Sequence, residues 1–587
     1  MPVISAANFR DDPGIGRGNP PTSDCVFNGE MVDDLTTVSA PAARALTRAS
    51  WRGGRPRLSL TWSLPGGRVD IGLLLFLLLF LDVKLAIKVP VLAVVYWCRP
   101  GLSVRTQVPV FYPLILVVAV IEWLLFRSSA PAHYDLVAGF GLLGWVLCLG
   151  AAHQVRLFAD RNDRETLDRT LRVFFLLNAL VSLWDLARIA WEVQAFNPYL
   201  YQGMYQKYFI RTGDYIHGVT FDTSTTNALI NAFGVVWFLA RRQGWMVLCC
   251  MGCLLLTGSN FTNLLLLAVL AWMFIRRSDR QQKGGIVLCV LMGVVFLGKV
   301  SPQNQTYVDE TVARWEHPRP ASPADPHAGW DLEDLRRTII ARHYLDSVHQ
   351  AAIILLQEKI ARSRTHPSLW TPKPSLPEPD INTSPYQSRA DTTDEQRGAQ
   401  QFVAAHARAL PRSSAPGLPD DGRLPGKIIA AGDVLSFYRA HPGKILVGDG
   451  PGNFSSKLAF RATGLNIAGG YPRRWSYVHP DFLKYHLDLF LAYFSKPKES
   501  HSLVNTPDSV PLQMLGEYGL LGLGLFAGGY LFFFVQRARD ADRRKGKTNA
   551  SAWPLLVLMT GTFFVGYWFE QLSIVVLFEL MIYIDGI

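Results

Sequence analysis

The sequence predicts an all-α polytopic membrane protein, and three observations carry that prediction. The 587 residues are 49% hydrophobic and only 18% charged, and mean hydropathy is +0.15, even though a polar N-terminus and a long polar stretch after Ser301 dilute the average. About twelve apolar runs are long enough to cross most or all of a bilayer. The excess of 58 Lys and Arg over 47 Asp and Glu sits beside those runs, a positive-inside pattern and not the footprint of a nucleic-acid binder. Collagen, coiled-coil and disordered classes are excluded. Six of the seven cysteines lie in or against apolar stretches, so no disulfide framework and no zinc site is expected.

Taken in order, residues 1–65 are rich in Gly, Pro, Ser, Thr and Arg and read as a disordered cytoplasmic tail. No apolar core near the start marks a cleaved signal peptide. The apolar runs follow at roughly 70–84, 86–98, 108–126, 135–153, 170–190, 224–241, 244–258, 261–276 and 285–300, giving nine spans within 66–300. Asp82, Lys84 and Lys88 interrupt the first two, which one kinked helix would also explain; pairing with one another would make these charges tolerable. Glu122 and Asp185 lie near span ends and are expected to reach the interface. Three more runs, at 515–536, 553–569 and 571–585, give spans ten to twelve within 515–587. Arginines and lysines in the short connections, such as Arg161, Arg164, Arg276, Arg280, Arg543 and Lys545, place both termini in the cytoplasm. The large loop 301–514, between helices 9 and 10, is therefore expected outside. Within it, Asp331 caps an amphipathic helix through Leu355, 366–425 reads as a mobile excursion, and a second helix is expected at Lys427–Phe437, ended by Pro442-Gly443.

Three local patterns could carry chemistry on that face. Gly448-Asp449-Gly450-Pro451-Gly452-Asn453-Phe454 has three glycines in five residues, suited to a turn or an anion nest, and no Lys-Ser/Thr follows as a Walker loop requires. His501 precedes the entry to the tenth span, Gln513-Met514-Leu515-Gly516-Glu517-Tyr518-Gly519-Leu520-Leu521-Gly522. A His and a Glu there are placed to meet a lipid-borne substrate. Arg211-Thr212-Gly213, with His217, Asp222 and Asn227, leads into the sixth span. Aromatic residues in 454–494 could stack on sugars, or serve as interfacial anchors or core.

The order of these segments, over roughly 65–587, resembles the O-antigen ligase and O-antigen polymerase superfamily of bacterial membrane glycosyltransferases. The shared features are the large loop after the ninth span, the Gly448–Phe454 segment following a helix that ends in His441-Pro442, and the Gln513–Gly522 entry. The resemblance implies a fold related to the GT-C glycosyltransferases and transfer of a glycan from an undecaprenyl-diphosphate carrier onto an acceptor hydroxyl. It implies no metal and no cofactor, at the extracytoplasmic face of the bacterial inner membrane. The partners implied are the lipid-linked donor, a glycan or lipid-linked acceptor, the bilayer, and other polysaccharide assembly and export proteins, with no nucleic acid. Arginines would grip the diphosphate and a loop histidine would accept the hydroxyl proton.

Carried onto this chain, Arg211 takes diphosphate binding, with His217 and Asn227 beside it. Asn260, in the turn Thr257-Gly258-Ser259-Asn260, stands where the family has a second arginine, whose work would pass to Arg314, Arg461, Arg473 or Arg474. His501 is the candidate base. Asp508 stands where many relatives have that histidine, and either orients His501 or replaces it. Glu517 either takes part in the chemistry or caps a helix start. The competing classes are a transporter or flippase of lipid-linked oligosaccharides, disfavoured because no internal repeat is visible, and a receptor with 301–510 as an independent domain.

Overall fold

The computed structural model describes residues 61–64, 67–81, 85–98, 107–127, 133–200, 212–220, 223–301, 426–463, 471, 475–486, 489, 506–546 and 550–586. The helix expected from Asp331, the excursion 366–425 and residues Arg211, Arg314, Arg473, Arg474 and His501 lie outside them.

Thr61–Leu64 (β1), at the end of the stretch read as tail, and Gly67–Asp70 (β2), just beyond it, form an antiparallel hairpin, with Thr61 opposite Asp70 and Leu64 opposite Gly67. The hairpin delivers Asp70, whose carboxylate accepts from Leu73 N–H (3.1 Å) and so caps α1, Ile71–Phe80. Asp70 is also tied to the middle of the chain. Its Oδ2 accepts from Asn162 Nδ2 (2.8 Å) and its N–H donates to Thr170 Oγ1 (3.0 Å).

Each of the twelve apolar runs contains helix. After α1 come α2 (Leu85–Cys98), α3 (Phe111–Phe126), α4 (Tyr134–Arg161), α5 (Arg164–Val193), α6 (Ser224–Ala240), α7 (Gly244–Leu256), α8 (Asn260–Arg276) and α9 (Arg280–Val295). The second half supplies α10 (Gly426–Ala440), where a loop helix was expected, α11 (Lys457–Ala462), α12 (Pro480–Tyr485), α13 (Val510–Leu525), α14 (Phe532–Lys545), α15 (Ala552–Thr562), α16 (Trp568–Gln571) and α17 (Ser573–Gly586). Among the described residues, four stretches are long and apolar enough to cross a membrane: Tyr134–Arg161, Arg164–Val193, Arg280–Val300 and Val510–Lys545. The others are shorter; at 1.5 Å per residue, seventeen-residue α6 rises about 26 Å.

Among the described residues, the core is built on α6 and α17, which are buried on every side: α6 from Thr226 to Ala240 and α17 from Ser573 to Asp585. A helix apolar all round has no face for solvent and takes the centre. These two pack on each other, and α6 also meets α7, α8 and α15. The outer helices keep an exposed apolar face: Leu124, Val146, Leu183, Ile275 and Val294 are each about half exposed or more.

At the basic end of the bundle, ion pairs tie distant segments. Arg277 grips Asp542 with both terminal nitrogens (Nη1–Oδ2 2.9 Å). Arg241 reaches Asp168 (3.1 Å) and Asp585 (3.7 Å), while Asp585 accepts from the Ser551 and Ala552 N–H groups at the start of α15 (2.7 and 2.8 Å). Of the charges expected to pair within the first two runs, Lys88 is fully buried and donates to the Gln571 carbonyl, while Asp82 and Lys84 lie outside the described residues.

Candidate functional site

The site starts from the three glycines. Gly448, Gly450 and Gly452 all have positive φ (73°, 91° and 76°), a conformation open to glycine at little cost. They turn the chain directly against α13, which unwinds at Gly519 (φ 64°) to meet it. Asp449 N–H donates to Gly516 O (3.1 Å) and Gly450 N–H to Glu517 O (2.9 Å). In return, Leu520 N–H donates to Ile445 O (2.8 Å) and Leu521 N–H to Leu446 O (3.0 Å). A Cβ at Gly448 would sit 2.4 Å from the Glu517 carbonyl, and one at Gly519 2.4 Å from Leu446 O. The two glycine-bearing motifs of the sequence are thus two halves of one backbone joint. The Glu517 side chain closes it, accepting from Gly452 N–H (2.8 Å) and hydrogen-bonding Ser456.

On one side of this joint lies a compact charge cluster. Asp449, with a fully buried side chain, meets Lys444 Nζ through Oδ1 (2.5 Å) and His479 Nδ1 through Oδ2 (3.1 Å). Lys444 also reaches Asp481 (3.1 Å). His479 is set by α12: it caps that helix, with Asp481 N–H 3.3 Å from Nδ1. Asn453 braces the turn by donating to Asp449 O (2.7 Å) and accepting from Tyr477 OH (2.6 Å). Burial pushes the Asp449 carboxyl above the usual carboxylate range, although His479 and Lys444 both favour its charged form. Beneath the cluster, Glu122 of α3 is 1% exposed and makes no hydrogen bond among the described residues. It faces the charges of Glu517 and Asp449 instead of reaching the interface as expected.

Next along the chain, α11 is capped by Ser456, which accepts from Ala459 N–H (2.9 Å). Its Lys457 and Arg461, one turn apart, act electrostatically on Asp508 and on Glu570 of the short helix α16. Gln513 Nε2 donates to Glu570 Oε1 (2.5 Å). Lys427 of α10 donates to the carbonyls of Thr506 (3.2 Å) and Asp508 (2.6 Å), fixing the approach to α13. Burial pushes Glu570 up to about 7 against the pull of Lys457 and Arg461, raises Asp508, and brings Lys427 down to about 8.

Asp449, His479 and Asp481 place one donor atom each within 4.8 Å of one another, spacing that a metal ion could use. The Lys444 ammonium already bridges the two carboxylates, so the cluster carries its own cation.

The expected site residues divide accordingly. Glu517, Asp508 and Arg461 gather at the joint. His217 and Asn227 belong to a separate buried network: Asp185 accepts from the His217 and Gly218 N–H groups (3.0 and 3.1 Å). Asn227 Oδ1 accepts from Asn178 (2.9 Å), while its Nδ2 donates to Ile216 O (3.0 Å) and Ser182 (3.1 Å). These bonds hold the 212–220 segment on α5 and α6. Asn260 opens α8 after the Gly258 turn. Sequence reasoning met Asp449 only as part of the glycine motif and did not select Lys444, His479, Asp481, Lys457 or Glu570. The available signal was His479-Pro480-Asp481, a helix start with Pro at its first position and an acid in its first turn.

No protein-family model, curated protein or solved structure matches the chain.

Proposed function

We propose that this protein transfers a glycan from an undecaprenyl-diphosphate carrier to an acceptor hydroxyl at the extracytoplasmic face of a bacterial inner membrane, as a polysaccharide polymerase or ligase. The observation that carries the proposal is the joint itself: a glycine turn locked to an unwound apolar helix, with a His–Asp pair and a Lys–Arg pair beside it. Glycosyl transfer from a lipid diphosphate needs those two kinds of group at a membrane edge, a proton acceptor for the incoming hydroxyl and cations for the departing diphosphate.

On this reading the active tautomer of His479 carries its proton on Nδ1, directed to Asp449 Oδ2 (3.1 Å) in exchange for the 3.3 Å capping contact from Asp481 N–H, which leaves Nε2 to accept the acceptor hydroxyl's proton. The hydroxyl oxygen bonds to the anomeric carbon, and the carbon–oxygen bond to phosphate breaks with its electron pair on the diphosphate. Lys457 and Arg461 offset that charge. Glu517 acts by holding the turn, since its carboxylate is committed to Gly452. Lys444 keeps Asp449 oriented.

The test is purified protein in liposomes with radiolabelled undecaprenyl-diphosphate glycan, comparing wild type with His479→Ala and Asp449→Asn at equal monodispersity. Wild type should lengthen or transfer the glycan, and each variant should lose about 10²–10⁴-fold in rate. If wild type makes no product and instead moves the labelled lipid across the bilayer, the transporter reading replaces this one.

A further inference from the structure

Away from the joint, α8 and α9 diverge to leave an apolar groove of about 310 Å³. Its walls are Leu267, Ala271 and Phe274 of α8 and Ile286, Val287 and Val290 of α9, and most of these side chains are well exposed, Val287 at 57%. The α8–α9 turn is strongly basic, and its charges fall into two groups. Arg242 is satisfied by Asp279 (2.6 Å) and Arg277 by Asp542. Arg276, Arg280 and Lys283 have no acidic partner among the described residues. Lys283 lies over the ring of Phe274, a wall of the groove, with Nζ 5.2 Å from its centroid. Lys283, Val287 and Val290 follow one another at helical spacing, so the cation continues the stripe that lines the groove. The nearest acid, Asp279, is already taken by Arg242 and by its capping bonds to Gln282.

An apolar slot open sideways and headed by unpaired cations has the chemistry of one ligand class. We infer that the α8–α9 groove holds a phospholipid with an anionic headgroup, its acyl chain against Val287, Val290 and Phe274 and its phosphate on Lys283 and Arg280. Basic residues at the end of a cleft between apolar helices give both the charge-assisted hydrogen bonds a phosphate accepts and a desolvated wall for the chain. A second protein copy would meet the same unpaired positive charge and, in a symmetric contact, would bring its own like charge to it. The inference is independent of the glycan-transfer reading.

The experiment reconstitutes the full chain in bilayers carrying spin-labelled phosphatidylglycerol or spin-labelled phosphatidylcholine and measures the immobilised fraction of each. Wild type should immobilise phosphatidylglycerol preferentially. Arg280→Gln with Lys283→Gln should lower that preference about fivefold for each charge removed. Val287→Trp, which fills the groove and keeps the charges, should lower the immobilised phosphatidylglycerol itself. Arg539→Gln removes an exposed arginine on α14, so general attraction to the leaflet would respond to it as well. Equal immobilisation of both lipids, a loss with Arg539→Gln as large as with the paired variant, or a dimer by light scattering that Val287→Trp dissolves would each overturn the inference.

Discussion

At the residue scale, the chain gathers charges where they are expensive and offsets each by a specific neighbour. Asp449 is tolerated because Lys444 and His479 occupy its two oxygens. Glu570 is less completely compensated: Gln513 donates to it, but burial still outweighs Lys457 and Arg461 and carries it from the ordinary 4.5 to about 7. The linkage has a definite sign. Between these values the folded chain holds a proton that the unfolded chain releases, so this group's contribution to stability is complete below pH 4.5 and is lost as pH rises through about 7. Glu570→Gln removes the titration and can still accept from Gln513. Its melting temperature in detergent should exceed that of wild type at pH 8, with a shallower decline from pH 4.5 to 7. An unchanged slope would show that Glu570 is not the group responsible.

At the scale of elements, the glycine joint is a backbone device. Gly448 and Gly519 each stand where a Cβ would strike the partner segment's carbonyl at 2.4 Å, in addition to needing positive φ. Gly448→Ala combines about 1–2 kcal/mol of backbone strain with that clash, so it should destabilise by more than about 2 kcal/mol. Gly432, in the middle of α10 with nothing within 4 Å of its Cβ position, is the internal control. Gly432→Ala should stabilise by about 0.5–1 kcal/mol. Thermal unfolding of the two variants in the same detergent checks both, and equal effects would contradict the joint.

For the whole molecule, the described halves of the chain are fastened at the basic end by Arg277–Asp542 and by Arg241 with Asp168 and Asp585. Arg277 is only 7% exposed, so Asp542→Ala would leave a buried guanidinium without its acid. That should cost about 3–5 kcal/mol, and Arg277→Met in the same chain should recover much of it, because a buried pair replaced by apolar groups is close to neutral. Measured thermal stability of the single and double variants decides this. If Asp542→Ala alone is neutral, the clasp does not hold the halves together.

The sequence by itself determined that this is a helical membrane-type chain and where its apolar helices lie. Hydropathy and clustered Lys and Arg are local properties, read within a window of one helix. The loop helix at Gly426–Ala440 was legible for the same reason, from its periodicity and from Pro442-Gly443 beyond it. Both glycine motifs were visible too, but not that they form one joint, because Gly452 and Glu517 bond across 65 positions and nothing local encodes the partner. Glu122 shows the same limit: an apolar window gives the helix but not which way one side chain faces, and this one turns inward. The first strand of the Thr61–Asp70 hairpin was hidden by a composition typical of a tail. Only the tertiary structure brought His479 to Asp449, set Lys457 and Arg461 to act on Asp508 and Glu570, and assigned Asn227 to a buried network, because packing between distant segments decides which polar groups share a site.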